Sequence, residues 1–184
     1  MGAGPGSDTR PGYPYATHCD ESKGKEPAVI EITLSSAEWG IAKFIGKLRN
    51  KKSLASKING RRDPAQEDEE MNMEAAGAEL AVAKMLNVYP DLSPTSGELP
   101  KWDLRGHGAR FEVKRNHLAT GDLLVPKLNS ELVYILVCGE LPKYNVVGYL
   151  PGTSIPLVGE WAELTYGACW RVHPGKLKPI ESLF

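Results

Sequence analysis

Net charge is almost absent from this sequence: 22 Lys and Arg stand against 23 Asp and Glu, a balance of −1. That excludes a protein that coats nucleic acid by bulk charge, so any contact with a polyanion has to be a local patch. Cysteine is scarce too. Cys19, Cys138 and Cys169 are too few and too scattered for a disulfide framework, which points to a reducing compartment such as the cytoplasm. No apolar run reaches the length of a bilayer crossing and no apolar signal core opens the chain, so no membrane partner is expected. The phosphate-cradling Walker loop, the dinucleotide glycine fingerprint and Gly-x-Ser-x-Gly are all missing. Cys169 and His173 form one Cys-x3-His pair with no second pair to complete a zinc site. Cys138 sits in the most apolar stretch and reads as packing rather than as a nucleophile.

What the chain does have is an ordinary globular composition, 41% hydrophobic and 24% charged over 184 residues, enough for one domain with a stable core. Residues 1–27, rich in Gly, Pro and Ser, read as a disordered or loosely docked arm, and residues 28–184 as a single domain. Val29 to Leu34 alternates like a short strand. Ser35 followed by Glu38 makes a capping box, opening a helix whose Ile41, Phe44, Ile45 and Leu48 predict one buried stripe. Farther on, Glu131 to Cys138 is a nearly unbroken apolar run of strand length, expected at the centre of a sheet, with Tyr144 to Leu150 beside it. Ala168 to Val172 reads as a last strand, and the segment from Leu177 onward as folding back on the core. Helices first and a largely antiparallel sheet afterwards define an α+β protein.

Two stretches carry charge in blocks. Eight basic residues and no acidic one lie between Lys43 and Arg62, and then the sign reverses through Asp63, Glu67, Asp68, Glu69, Glu70 and Glu74. The basic run reads either as a phosphate-contacting patch or as a solvated helix face balanced by its acidic neighbour. A second helix is predicted from Glu70 to Asn87, with Met71, Ala75, Ala78, Val82 and Met85 as its apolar stripe. Glu79 is out of place there, a carboxylate on an Ala-rich face where another element should pack closely. Burying it without a cation costs several kcal/mol or raises its pKa. A metal ion or a lysine from the adjoining sheet would resolve the conflict.

The most informative stretch is Lys101 to Asn116, two short strands joined by the turn Arg105-Gly106-His107-Gly108. At a period of two, Trp102 and Leu104 share one face with Asp103 opposite, and Phe111 and Val113 share a face with Arg110, Glu112 and Lys114 opposite. If the apolar faces meet one core, Asp103, Glu112 and Lys114 gather on the other side. Two hard carboxylate ligands suited to Mg²⁺ or Mn²⁺ then stand beside an ammonium.

An acidic helix residue in Gly77-Ala78-Glu79-Leu80, an Asp at the next strand (Asp103), and a strand carrying Glu112-Val113-Lys114 together resemble the PD-(D/E)xK nuclease superfamily. The layout is most similar to small nuclease-like proteins of bacteriophages and prophages. Trp102 stands where that pattern usually has Pro, and no clear helix follows the Glu-x-Lys strand. The resemblance implies a restriction-endonuclease-like core and Mg²⁺- or Mn²⁺-dependent cleavage of DNA in the bacterial cytoplasm, with a homodimer as one arrangement for cutting two strands. It implies that Asp103, Glu112 and the Val113 carbonyl hold the metal and that Glu79 adds a ligand directly or through water. Lys114 would position or help deprotonate the attacking water, or offset charge at the scissile phosphate. Lys47, Arg49, Lys51, Lys52, Arg61 and Arg62 of the basic run, with Arg115 and Asn116, are the expected nucleic-acid contacts. The rival expectation is a non-catalytic nucleic-acid-binding or virion-associated protein that keeps such a fold.

Overall fold

The structure, a computed structural model, describes residues 29–55, 68–92, 102–165 and 167–183. The expected 1–27 arm, and Arg61 and Arg62 of the basic run, lie outside the described residues. Strand β1 (Ile30–Thr33) leads into helix α1 (Ser36–Ala55), and helix α2 (Asp68–Leu86) follows. Then come β2 (Leu104–Gly106), β3 (Ala109–Asn116), β4 (Leu123–Val125), β5 (Val133–Glu140) and β6 (Lys143–Pro151). A one-turn helix α3 (Ile155–Val158) precedes β7 (Glu160–Leu164) and β8 (Gly167–Val172). The molecule is α+β, its two long helices N-terminal to a mixed sheet.

The main sheet has the order β1-β6-β5-β3-β2, and a smaller one has the order β4-β8-β7. Every pairing is antiparallel except β3 with β5. The parallel connection from β3 to β5 contains no helix. It passes through β4, which joins the second sheet, so the segment where no clear helix was expected bridges the two sheets.

α1 begins as its capping box dictates. The Ser35 N–H donates to Glu38 Oε2 at 2.6 Å and the Glu38 N–H to Ser35 Oγ at 3.3 Å. Lys84 reaches the same carboxylate at 2.8 Å, and these bonds hold the Glu38 carboxyl down at about 2. The expected stripe needs correction: Ile45 is buried as expected, but Ile41 and Phe44 face solvent, and α1 buries Ala42 and Gly46 beside Ile45. The reason is closeness. A Cβ on Gly46 would lie 2.4 Å from the Met73 backbone of α2, an approach that large side chains forbid.

α2 is enclosed on two sides. Ala76 meets α1, while Ala78, Ala81, Val82 and Leu86 meet Phe111, Val113, Ile135, Val137 and Val146 of the sheet. A Cβ on Gly77 would fall 2.1 Å from the Tyr144 hydroxyl. Small residues therefore occur all round this helix rather than on one stripe, and Met71 and Met85 are only half-buried. The other face of the sheet packs Tyr134, Leu136, Cys138, Val147 and Leu150 against Leu123, Val125 and Val172 of the second sheet, with Leu177 folded back on them.

Candidate functional site

β2 and β3 are joined by a turn with His107 at φ 49° and Gly108 at φ 74°, the left-handed pair that a two-residue hairpin of type I′ requires. His107 is exposed, and its Nε2 lies 2.8 Å from the Leu86 carbonyl, so the turn is fastened to the end of α2. At the other end the ladder stops early. The Asp103 N–H donates to the Phe111 carbonyl at 2.9 Å, but the Val113 N–H is taken by the Asp103 side chain, Oδ2, at 2.7 Å. The chain bends at Asp103. Trp102 consequently packs with the core of the second sheet while Leu104 joins the α2 core, which corrects the expectation that they share a face.

Four predicted groups from three segments influence one another electrostatically around this end of β3. Lys114 Nζ lies 2.5 Å from Glu112 Oε1, both side chains partly buried. Asp103 feels both Glu79 from α2 and Glu112 from β3. Burial first, then these two negative charges, push its carboxyl well above the ordinary range, against the Val113 N–H and Lys114. Glu79 is raised by burial, opposed by Arg49 and aggravated by Glu112. Burial works against the Lys114 charge, but Glu112 and Asp103 outweigh it and hold the ammonium above its usual value.

Glu79 is buried, as its Ala-rich surroundings predict, but its partner comes from α1. Arg49 Nη1 and Nη2 grip its two oxygens at 2.6 and 2.8 Å. Arg49 therefore lies inside the fold, not on a phosphate-facing surface. Arg115 is likewise drawn inward, its side chain 9% exposed, donating to the Gly139 carbonyl at 2.9 Å and 3.6 Å from Glu74. Asn116 organises a turn, bonding the Asp122 carbonyl and the Leu118 N–H. Of the expected nucleic-acid contacts among the described residues, Lys47, Lys51 and Lys52 are the exposed ones.

Glu74 is the functional-looking residue that the sequence does not betray. It is 7% exposed, takes the Leu141 N–H at 3.0 Å and the Tyr144 hydroxyl at 2.9 Å, and thereby ties α2 to the β5–β6 turn. Burial, then this carboxylate, raise the Tyr144 phenol far above its usual value.

Among the described residues no three His, Cys, Asp or Glu side chains are arranged as a ready metal-binding group. Lys114 holds Glu112, a backbone N–H holds Asp103, and Arg49 occupies both oxygens of Glu79. The donor chemistry still suits a divalent cation at Asp103 and Glu112, hard oxygens whose mutual repulsion such an ion would relieve. Strand geometry turns the Val113 carbonyl toward the same edge as its N–H, beside Asp103. Glu79 does not fit as a direct ligand while Arg49 grips it.

Next to this cluster a cleft of about 730 Å³ opens between α2, the C-terminal half of β3 and the β7–β8 hairpin. Lys114 and Val113 belong to its wall, with Met71, Ala75, Leu124 and Leu164 among the other lining residues.

Compared with known protein families, with characterised proteins and with solved structures, the chain gives no match. No helix among the described residues is long and apolar enough to cross a membrane.

Proposed function

We propose that this chain is a divalent-metal-dependent deoxyribonuclease with the arrangement of the PD-(D/E)xK nucleases, of phage or prophage origin and acting in the bacterial cytoplasm. One observation carries the reading: Glu79, Asp103, Glu112 and Lys114, from three separate segments, act on one another electrostatically at a strand edge, and Asp103 is raised well above its ordinary value there. Strongly perturbed groups gathered beside a cleft are characteristic of reaction centres.

In this reading Asp103, Glu112 and the Val113 carbonyl hold Mg²⁺ or Mn²⁺. The ion supplies Lewis-acid charge at the scissile phosphate and lowers the pKa of water toward neutrality. Lys114, which pairs with Glu112, would offset charge at the phosphate or orient the attacking water. Glu79 acts through water, held in place by Arg49. Lys47, Lys51 and Lys52 on the solvent side of α1 contact the DNA backbone outside the centre.

Asp103→Ala, Glu112→Ala and Lys114→Ala should each abolish Mn²⁺-dependent cleavage of plasmid and linear DNA while leaving circular dichroism unchanged. Full cleavage by the Glu112 variant would refute the site. A second reading has its own support, since every carboxylate of the cluster is already held by a cation or an N–H. The chain is then a non-catalytic DNA-binding protein that retains the arrangement. It predicts no heat of Mn²⁺ binding together with salt-sensitive DNA binding that Lys47, Lys51 and Lys52 support.

A further inference from the structure

The cleft beside Lys114 belongs to the proposed site, and its shape and chemistry select among substrates. At about 730 Å³ it falls within the roughly 300–1,000 Å³ typical of pockets for small organic ligands. Its walls are mainly apolar: Met71 and Ala75 from α2, Leu118 and Leu124 from the β3–β5 connection, and Leu164 from β7. Its cations stand on the β3 wall alone. Arg115 there is engaged with Glu74 and Gly139, which leaves the Lys114 ammonium, bound to a carboxylate that the metal would claim, as the group suited to a phosphate. The far wall carries Glu163, which repels a phosphate and not a neutral base. Polarity therefore runs across the cleft, anion-accepting at Lys114 and base-accepting opposite.

We infer that the cleft seats the base and sugar of one unpaired nucleotide with its phosphate at Lys114, so that the substrate is single-stranded DNA or a frayed end rather than a continuous duplex. This rests on the phosphodiester reading of the site. A base already unpaired enters without the cost of leaving a stack, and an apolar wall accepts any base face, so binding is insensitive to sequence.

The test is binding, measured by fluorescence anisotropy of a labelled oligothymidylate in Ca²⁺, with a covalently closed duplex as competitor. The single strand is expected to bind about 100-fold more tightly than the closed duplex, the discrimination that unpairing one base imposes. Ala75→Phe, which fills the cleft from α2, should weaken single-strand binding about 10-fold or more by taking up the space of the base. Leu118→Glu, on the exposed rim, tests the same wall if Ala75→Phe does not fold. Equal affinity for the closed duplex, or oligothymidylate binding untouched by a folded cleft variant, overturns the inference even if the protein cuts DNA. Binding that follows the expectation without any Mg²⁺- or Mn²⁺-dependent cleavage sustains the cleft as a single-strand site and refutes the nuclease reading.

Discussion

Asp103→Asn removes one negative charge from the cluster and keeps an oxygen to accept the Val113 N–H, now 2.7 Å from Oδ2. That hydrogen bond weakens from charge-assisted to neutral, a loss of about 1 kcal/mol. Against it stands the charge itself, partly buried and repelled by Glu79 and Glu112, with Lys114 compensating in part. Desolvating an ion costs several kcal/mol in full burial, so about 2 kcal/mol is reasonable for a partly buried carboxylate. The balance is a stabilisation of about 1 kcal/mol, which for a domain of this size raises Tm by about 2–4 °C. The pH dependence follows from the raised carboxyl. Its contribution to stability is complete below the ordinary value of 3.8 and is lost as pH rises through the higher folded value. The gain of the Asn variant should therefore be largest once pH exceeds the raised folded value and vanish in acid, where the wild-type group is protonated. Differential scanning calorimetry in EDTA at low salt measures it. Added Mn²⁺ should raise the wild-type Tm and leave that of Asp103→Asn nearly unchanged. A variant that melts several degrees below wild type in EDTA at alkaline pH would refute the reasoning, because the charge would then be a stabilising partner and not a strained one.

Arg49→Met leaves Glu79 buried without its guanidinium and should cost about 3–5 kcal/mol in urea unfolding, with Glu79→Gln in the same chain recovering most of it. Gly77→Ala should destabilise by about 1–3 kcal/mol through overpacking on the Tyr144 hydroxyl, and Tyr144→Phe should relieve part of that loss. Glu38→Ala should lower Tm at neutral pH. Because the Glu38 carboxyl is depressed on folding, the difference is present above 4.5 and should fade as pH falls through about 2.

Local chemistry was legible in the sequence, and long-range partnership was not. The Ser35–Glu38 box, the hairpin turn at His107-Gly108 and the apolar run of β5 are each set by residues a few positions apart, and the sequence pattern finds them. The burial of Glu79 was readable for the same reason, since its Ala neighbours announce a close contact. Its partner was not, because Arg49 lies 30 residues away in a basic run that suits phosphate equally well. The α1 face was misread since large apolar side chains signal burial by volume, whereas this interface selects Ala42 and Gly46 for proximity. Glu74 hid within a solvated-looking acidic block, and only its pairing with Leu141 and Tyr144, nearly 70 residues on, draws it inside. Strand alternation placed Glu112 and Lys114 on one face of β3, where they pair, but the bend that separates Trp102 from Leu104 was not legible, as period two assumes a straight strand.

A carboxylate that completes a strand ladder doubles as a spectroscopic probe. The Val113 amide proton points at a group whose ionisation changes with acidity, so its nuclear resonance should move whenever Asp103 gains or loses charge. One backbone signal, followed during titration, would thus report the electrical state of the whole cluster without any nucleic acid in the tube.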